Sequence, residues 1–241
     1  MVALLVAVCG GVLSGCALPE ELGLPDELDL PGAVEQVPAP PELPDAATSA
    51  RRLDGLRVAQ RRDPSVPAYD RDAFGTAWSD TDDNGCNQRD DVLLRDAVPG
   101  STTTAPQGRC DHDVLAGTWV DPYAGGTLVL DDLKDPRQAQ AVQIDHVVPL
   151  AEAWSSGAHA WSPERRRRYA NDLGVLLAVD GPTNAAKGSD DPAAWRPRKA
   201  YQCTYALRWV EVKHRWRLAA DAAEVRALHE MLAYCPAPTD G

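Results

Sequence analysis

The sequence predicts an α+β domain with few strands, cross-linked by two disulfides. The 241 residues include twenty prolines and a single phenylalanine, which indicates many loops and few aromatic-rich strands. Two of the six cysteines lie in the first 16 residues, and four remain. In an exported chain such an even set predicts two disulfides, with three possible pairings. We expect Cys86–Cys110 and Cys203–Cys235, each of which closes a loop of roughly 25 to 35 residues.

Residues 1–15 predict a lipoprotein-type signal peptide. Their apolar stretch is too short to span a bilayer, and it ends in Leu13-Ser14-Gly15-Cys16. A leucine, two small residues and a cysteine resemble a lipobox, in which Cys16 is the lipidated residue. No lysine or arginine precedes the apolar stretch, and a plain secretion signal is the alternative. We therefore expect a protein at the extracellular face of the cell membrane, or a secreted one, without a transmembrane helix.

Residues 16–50 predict a disordered, acidic and proline-rich linker. They contain seven prolines and eight acidic residues but no lysine or arginine. This composition cannot bury a hydrophobic core. Residues 161–217 have the opposite balance, with twelve basic and six acidic residues. The net charge of −12 therefore lies largely in the linker and does not exclude a nucleic-acid partner.

Residues 51–236 are predicted to form the folded domain. Its helices begin at capping residues or prolines, and its strands are short apolar runs that end at proline or glycine. The predicted helices are residues 49–62, 89–97, 151–156, 163–171, 181–187, 201–214 and 221–234. The predicted strands are residues 115–120 and 127–130, which form a β-hairpin, and then 141–148 and 175–179. A loop is expected between residue 97 and Cys110.

The segment 79–85 is polar and turn-rich and resembles a calcium loop. We do not expect an EF-hand there, because the EF-hand spacing and the closing Glu are taken to be absent. A calcium-dependent adhesion module built on this segment is one alternative function.

The candidate functional residues begin with Asp145-His146, near the end of a predicted strand. Phosphodiester hydrolysis requires a base, a metal ion and groups that hold the phosphate. His146 can be the base near neutral pH. Asp145 and Asn184 offer the oxygen ligands that Mg²⁺ prefers. Lys187, or the arginines at 165–168, can hold phosphate.

One geometric condition applies to Asp145 and His146. Neighbouring residues of a regular strand point to opposite faces, so both can reach one site only if the strand twists or ends there. Pro149, three residues further on, is consistent with such an ending.

An ordered set of short motifs extends over about residues 75–236. The motifs include Trp78-Ser79-Asp80, Gly85-Cys86, Arg89-Asp90-Asp91-Val92-Leu93, Asp121-Pro122-Tyr123, Asp145-His146-Val147-Val148-Pro149-Leu150, Arg168-Tyr169-Ala170-Asn171-Asp172, Asn184-Ala185-Ala186-Lys187-Gly188 and Asp191-Pro192-Ala193-Ala194-Trp195. Together they resemble the exported actinobacterial HNH endonuclease family, which is similar to the C-terminal nuclease domain of the GmrSD restriction enzymes.

The resemblance implies a ββα-metal core (HNH, His-Me finger) at about residues 140–197, in which two strands and a helix surround one divalent ion, Mg²⁺ or Mn²⁺. It implies that Asp145 and Asn184 are metal ligands and that His146 is the general base. Added helices and the upstream hairpin complete the domain.

Three further roles follow from the same resemblance. The family usually has an Asn at the start of the second strand, which fixes the loop that presents the base. This chain has Val175 there, and Asn171 is a possible substitute. Arg89 and Arg168 lie in matching motifs. Arg89 is expected near the substrate. The arginines at 165–168 are expected to form a solvated helix face, with Arg168 as the candidate for a contact with the substrate backbone.

The sequence thus predicts an endonuclease that cleaves DNA, or less readily RNA, with weak sequence specificity, because it shows no base-reading module. The alternative is a catalytically impaired HNH-like domain that serves as a surface-binding or structural lipoprotein.

Overall fold

The computed structural model describes residues 42–59 and 63–237. The predicted signal peptide, the lipidation site at Cys16 and most of the predicted linker lie outside these residues. The described part is a mixed α+β structure with two small sheets. None of its helices is long and apolar enough to cross a membrane.

The elements follow one another in an order close to the predicted one. The helices are α1 (Ala46–Asp54), α2 (Gln88–Asp96), α3 (Pro136–Ala141), α4 (Leu150–Ser155), α5 (Pro163–Ala170), α6 (Gly181–Lys187), α7 (Lys199–Trp216) and α8 (Ala222–Leu232). The strands are β1 (Thr103–Gln107), β2 (Cys110–Val120), β3 (Thr127–Leu130), β4 (Val142–His146) and β5 (Leu176–Asp180). Single-turn helices lie at Asp72–Phe74 and Ala158–Ala160.

The first helix begins earlier than the sequence predicts. Helix α1 starts at Ala46, inside the predicted linker, because the Asp45 side chain caps it by accepting a hydrogen bond from the Thr48 N–H. It ends at Asp54, followed by Gly55, and does not continue toward residue 62 as predicted. Leu53 is buried in the core, so tertiary packing holds this helix in place.

The larger sheet has the antiparallel order β1-β2-β3. The predicted hairpin corresponds to β2 and β3, but β2 is longer and also pairs with β1. Strand β1 occupies a segment that the sequence predicts to be a loop. It contains Pro106 and no alternating apolar pattern, and its pairing has register shifts, so only its position beside β2 makes it a strand.

The smaller sheet is the antiparallel pair of β4 and β5, with Val142 opposite Asp180 and His146 opposite Leu176. Helix α6 follows β5 directly, capped by the Asp180 side chain, which accepts from the Thr183 N–H. Strand–strand–helix is therefore the local order, with α4 and α5 inserted between the strands.

Two hydrophobic clusters enclose strand β5. Leu177 and Val179 belong to the cluster formed with α4, α5, α7 and α8. Leu176 and Ala178 belong to the cluster between α2 and the larger sheet. Because alternate residues of a strand point to opposite faces, both faces of β5 are buried, which explains its continuous apolar sequence.

Both predicted disulfides are present. Cys86–Cys110 joins the segment before α2 to the start of β2, and Cys203–Cys235 joins α7 to the residues after α8.

Candidate active site

A cleft of about 310 Å³ lies where β4 ends and faces α6. It brings together Asp145, His146 and Asn184, which the sequence predicts to form one site. The remaining lining residues come from the loop before the first single-turn helix, from β4 and α4, and from the end of α6. They are Tyr69, Arg71, Ile144, Pro149, Leu150, Ala151, Gly188 and Ser189.

The end of strand β4 allows Asp145 and His146 to line the same cleft. β4 stops at His146, and the chain bends before Pro149 starts α4. The predicted strand end is thus observed, and the alternation of a regular strand does not separate the two side chains.

Asp145 is buried and accepts two strong hydrogen bonds. Its Oδ1 accepts from Lys187 Nζ at 2.8 Å, and its Oδ2 accepts from the Tyr123 hydroxyl at 2.6 Å. Burial raises the pKa of the Asp145 carboxyl, while Lys187 and Tyr123 act in the opposite direction by favouring the carboxylate. Each carboxylate oxygen has a second lone pair, so the group can still offer an oxygen toward the cleft.

His146 is held in one tautomer. Its Nε2 lies 2.9 Å from the Ala170 carbonyl oxygen, which can only accept, so Nε2 carries the proton and Nδ1 is the basic nitrogen. The ring stacks between Trp78 and Tyr169, with centroid distances of 6.0 and 6.5 Å. Burial lowers the pKa of His146 to about 4, so the ring is neutral at neutral pH.

Asn184 presents an amide oxygen at the same cleft. Its Nδ2 donates to Gln143 Oε1 at 2.9 Å, which fixes the amide so that its oxygen is the remaining polar atom. A carboxylate and an amide oxygen are hard donors that suit Mg²⁺ or Mn²⁺ and leave further positions for water. The donor chemistry of Asp145 and Asn184 therefore fits the divalent ion that the sequence predicts.

A second group of potential ligand atoms does not form a metal site. Cys86, Cys110 and His112 lie within 4.8 Å of one another, but the two cysteines form a disulfide. A disulfide has no thiolate, which is the form of cysteine that binds metals.

Lys187 does not hold phosphate as the sequence predicts. Its side chain is 0% exposed, and its Nζ donates to Asp145 Oδ1 at 2.8 Å and to the His146 carbonyl at 3.0 Å. A substrate in the cleft cannot reach an ammonium that is enclosed in this way. Lys187 instead donates to both members of the Asp145-His146 pair, to the carboxylate of Asp145 and to the backbone carbonyl of His146.

Asn171 supports the site without touching His146. Its Oδ1 accepts from the Ser79 N–H at 2.8 Å, and its Nδ2 donates to the Arg167 carbonyl at 2.9 Å. Ser79 follows Trp78, the residue that stacks on His146. Asn171 therefore fixes the loop that covers the ring, which is a different contact from the expected one.

Val175 contributes a backbone hydrogen bond at the position where the family usually has an Asn side chain. The Val175 carbonyl accepts from the Val147 N–H at 2.9 Å, so it anchors the residue next to His146. Its side chain is fully buried in the core.

The structure does not place Arg89 at the cleft. Its Nη2 donates to the carbonyls of Ala139 and Val142 at 3.1 and 3.3 Å, at the opposite end of β4 from His146. This guanidinium joins α2 to the start of β4, and the predicted contact with substrate is not supported.

Among the four arginines of α5, only Arg168 is exposed, and it does not line the cleft. Arg165 donates to the Trp216 carbonyl, Arg166 to the Ala73 carbonyl, and Arg167 pairs with Glu164.

Sequence reasoning missed Arg71 and Tyr69 altogether. Arg71 is an exposed cation in the cleft, close enough to His146 to lower its pKa. Both residues lie in a loop that has no recognisable pattern. The motifs that contain Tyr123 and Trp78 are visible in the sequence, but they do not indicate a role for either residue.

A family model described as the C-terminal domain of GmrSD restriction endonucleases matches residues 88–231. A protein of Arthroderma benhamiae, described as an uncharacterized secreted protein, is 39% identical over 202 residues, which cover 83% of this chain and 90% of that protein. A Mycobacterium tuberculosis protein named "Probable inactive lipase" is 34% identical over 74 residues, which cover 30% of this chain and 17% of that protein. No solved structure is significantly similar to the chain.

Proposed function

The chain belongs to the family of GmrSD restriction endonuclease C-terminal domains, and from this premise we propose that it is a metal-dependent endonuclease that hydrolyses phosphodiester bonds of DNA. One observation carries the proposal. His146 is held neutral, with Nε2 bonded to the Ala170 carbonyl, in a cleft that also contains the oxygen donors of Asp145 and Asn184.

Each of the cleft residues can take a separate role in phosphodiester hydrolysis. His146 Nδ1 accepts a proton from a water molecule, the water oxygen forms a bond to phosphorus, and the bond from phosphorus to the 3′ oxygen breaks. The bond to Ala170 keeps Nδ1 unprotonated and directed away from the backbone. Asp145 and Asn184 would hold Mg²⁺ or Mn²⁺, which supplies charge stabilisation for the phosphate and the leaving oxygen.

Substrate binding is proposed to rest on the phosphate backbone. Arg71 is an exposed cation at the cleft, and residues 161–217 are locally basic. Contacts of this kind bind nucleic acid without reading its sequence. We therefore propose weak sequence specificity, with DNA as the main substrate and RNA as a second one. Contact between Arg168 and the substrate backbone remains part of the proposal.

The location proposed for this activity is outside the cell. The two disulfides and the secreted relative agree with an extracellular protein. Membrane attachment through lipid on Cys16 and membership of the exported actinobacterial branch are proposals that rest on the sequence motifs.

The second candidate function is a catalytically impaired HNH-like domain that acts as a surface-binding or structural lipoprotein. Val175 favours it, because the side-chain amide usual at this position is missing. The Asn171 bond to Ser79 favours the nuclease, because it fixes the loop that carries Trp78, the residue that stacks on His146.

Plasmid cleavage by the purified protein decides between these functions. We expect conversion of supercoiled plasmid to nicked and linear forms with Mg²⁺ or Mn²⁺, and none with chelator. His146→Ala should lose at least about 100-fold in rate, since it removes the base.

His214→Ala is the matched control, because His214 is exposed on α7 and does not line the cleft. It should cleave as the parent does. Absence of cleavage with every divalent ion would support the impaired domain. Equal cleavage by His146→Ala and the parent would show that the base has been misassigned.

A further inference from the structure

The segment from Asp80 to Asp91 has the length and spacing of a calcium-binding loop. Counted from Asp80, the twelve-residue EF-hand loop requires oxygen ligands at positions 1, 3, 5 and 12 and a glycine at position 6. Positions 1, 3, 5 and 12 are Asp80, Asp82, Asn84 and Asp91, and position 6 is Gly85. This register corrects the expectation that the EF-hand spacing is absent, and the closing residue is Asp instead of the usual Glu.

The backbone of the segment has the turn that such a loop requires. Gly85 has φ +94°, and its N–H donates to Asp80 Oδ2 at 3.0 Å. A Cβ at Gly85 would lie 2.5 Å from the Arg109 carbonyl oxygen, so glycine is required there. Helix α2 begins at Gln88, which is position 9, so the loop leads directly into a helix.

Three oxygens of this segment are buried and have no hydrogen-bond partner in the described part of the chain. They are Asp80 Oδ1, Gln88 Oε1 and Asp91 Oδ2, at positions 1, 9 and 12. Gln88 and Asp91 are 1% and 0% exposed. A buried acceptor without a partner is costly, and a coordinated cation removes that cost.

Polar side chains of the segment contact one another across the loop. Gln88 Nε2 donates to Asp82 Oδ1 at 3.3 Å, and Asn84 Nδ2 donates to Asp91 Oδ1 at 3.1 Å and to Asp82 Oδ2 at 3.4 Å. The Asn84 amide therefore occupies the place between two carboxylates where a cation would neutralise both.

The charges of the loop are not balanced by basic side chains. Across residues 42–59 and 63–237, Asp80, Asp82 and Asp91 form no ion pair with lysine or arginine. Within the same residues, His112 is the histidine that forms a hydrogen bond with Asp91, through its Nε2. Like charges held this close favour a bound cation.

We propose that residues 80–91 bind one Ca²⁺ ion. The ligands are the side chains of Asp80, Asp82, Asn84 and Asp91, with the Cys86 carbonyl at position 7 and Gln88 at position 9. An all-oxygen set of flexible geometry suits Ca²⁺ better than the smaller Mg²⁺. The affinity expected is that of extracellular modules, with a Kd of about 10⁻⁴ to 10⁻³ M.

An ion bound in this loop would affect the elements next to it. The loop begins two residues after Trp78, which stacks on His146, and it contains Cys86, which is joined by a disulfide to Cys110 in β2. A bound ion therefore joins the wall of the active-site cleft to α2 and β2. The site is separate from the metal ligands proposed at Asp145 and Asn184 and does not depend on nuclease activity.

Calorimetric titration of the chelator-treated full chain with CaCl₂, with its disulfides intact, tests the proposal. We expect saturable binding of Ca²⁺ and a rise in Tm of about 3 °C or more at ~10 mM CaCl₂, with a smaller rise for MgCl₂. Asp82→Asn should weaken binding at least tenfold and remove most of the rise, because it replaces a ligand carboxylate near the surface.

Asp83→Asn is the matched control. Asp83 is the exposed position-4 neighbour, and its φ of +61° is one that Asn also adopts. It should bind Ca²⁺ within twofold of the parent. Asn184→Ala should also retain the effect, since it changes only the cleft.

Three results would overturn the proposal. They are no saturable binding up to ~10 mM CaCl₂, equal weakening by Asp82→Asn and Asp83→Asn, or loss of the calcium effect in Asn184→Ala. The last would place the ion in the cleft. None of these results depends on whether the protein cleaves DNA.

Discussion

Lys187 illustrates how burial changes the role of a single residue. A lysine beside a candidate phosphate site predicts a phosphate contact, but the Lys187 ammonium is enclosed between Asp145 and the His146 carbonyl. Removing two charges from water is costly, and only close pairing and further hydrogen bonds repay that cost. Asp145 has both, from Lys187 and from Tyr123. The carboxylate is therefore positioned before any ligand binds.

Replacing Lys187 with Met should destabilise the fold and abolish cleavage. The variant leaves Asp145 buried without its cation, which costs about 3 to 5 kcal/mol of unfolding free energy. Urea unfolding and plasmid cleavage measure the two effects.

The double variant Lys187→Met/Asp145→Asn is the control, because it removes the charge together with its partner. It should recover most of the lost stability but no cleavage, since a proposed metal ligand is gone. If Lys187→Met kept the parent's stability and lost only cleavage, Lys187 would have to contact the substrate after all.

At the scale of elements, one buried ammonium joins three helices. Lys213 of α7 is 0% exposed, and its Nζ contacts Glu152 of α4 at 2.7 Å and Glu224 of α8 at 2.6 Å. It also donates to the Ala219 carbonyl at 2.8 Å. Glu224 belongs to the capping box of α8 and accepts from Trp209, so the network also fixes the start of that helix.

Replacing Lys213 with Met should destabilise the fold more at pH 8 than at pH 5. Burial raises the pKa of Glu224 from 4.5 to about 7, while Lys213 opposes that rise. A folded-state pKa above the unfolded value means that stability falls as pH rises from about 4.5 to 7. Without Lys213 the pKa of Glu224 rises further. We expect a loss of about 3 to 5 kcal/mol at pH 8 and a smaller loss at pH 5.

Lys199→Met serves as the comparison for this experiment, since Lys199 is exposed at the start of α7. Its loss should stay below about 1 kcal/mol in the same urea titrations. A loss in Lys213→Met that is equal at both pH values would contradict the role assigned to Glu224.

At the scale of the whole molecule, the disulfides stabilise a domain that has only small sheets. Cys203 and Cys235 are 32 residues apart and connect α7 to the chain after α8. Cross-linking a loop of this size restricts the unfolded chain.

The double variant Cys203→Ala/Cys235→Ala should lose about 3 kcal/mol of unfolding free energy while it keeps the fold. Urea unfolding, with circular dichroism as the readout, measures the loss. A reducing agent should then destabilise the variant less than the parent, because one cross-link is already gone. Unchanged stability in the variant would mean that helix packing alone holds α7 and α8 together.

Some elements could be predicted from the sequence and others could not, for physical reasons. Strand β5 and helix α6 were predicted closely, because an apolar run and a Gly-Pro start are local signals. Strand β1 was missed, because its pairing partner β2 supplies what its own sequence lacks. The sequence indicates the calcium-like character of residues 79–85 but not the ligands proposed at positions 9 and 12, because Gln88 and Asp91 lie in the next helix and their unpaired oxygens are a property of packing.

The α+β class, the presence of two disulfides, the family, and the Asp145, His146 and Asn184 set of the cleft could be predicted from the chain alone, whereas the cysteine pairing remained an expectation among three alternatives. These depend on residue types and spacings that are readable along the chain. Only the tertiary structure decided which charges are enclosed and which face solvent. It made Lys187 a buried partner of Asp145, made Arg89 a link between α2 and β4, and placed Arg71 at the cleft. The reason is that burial depends on neighbours that are distant in sequence, and burial determines whether a cation can meet a substrate.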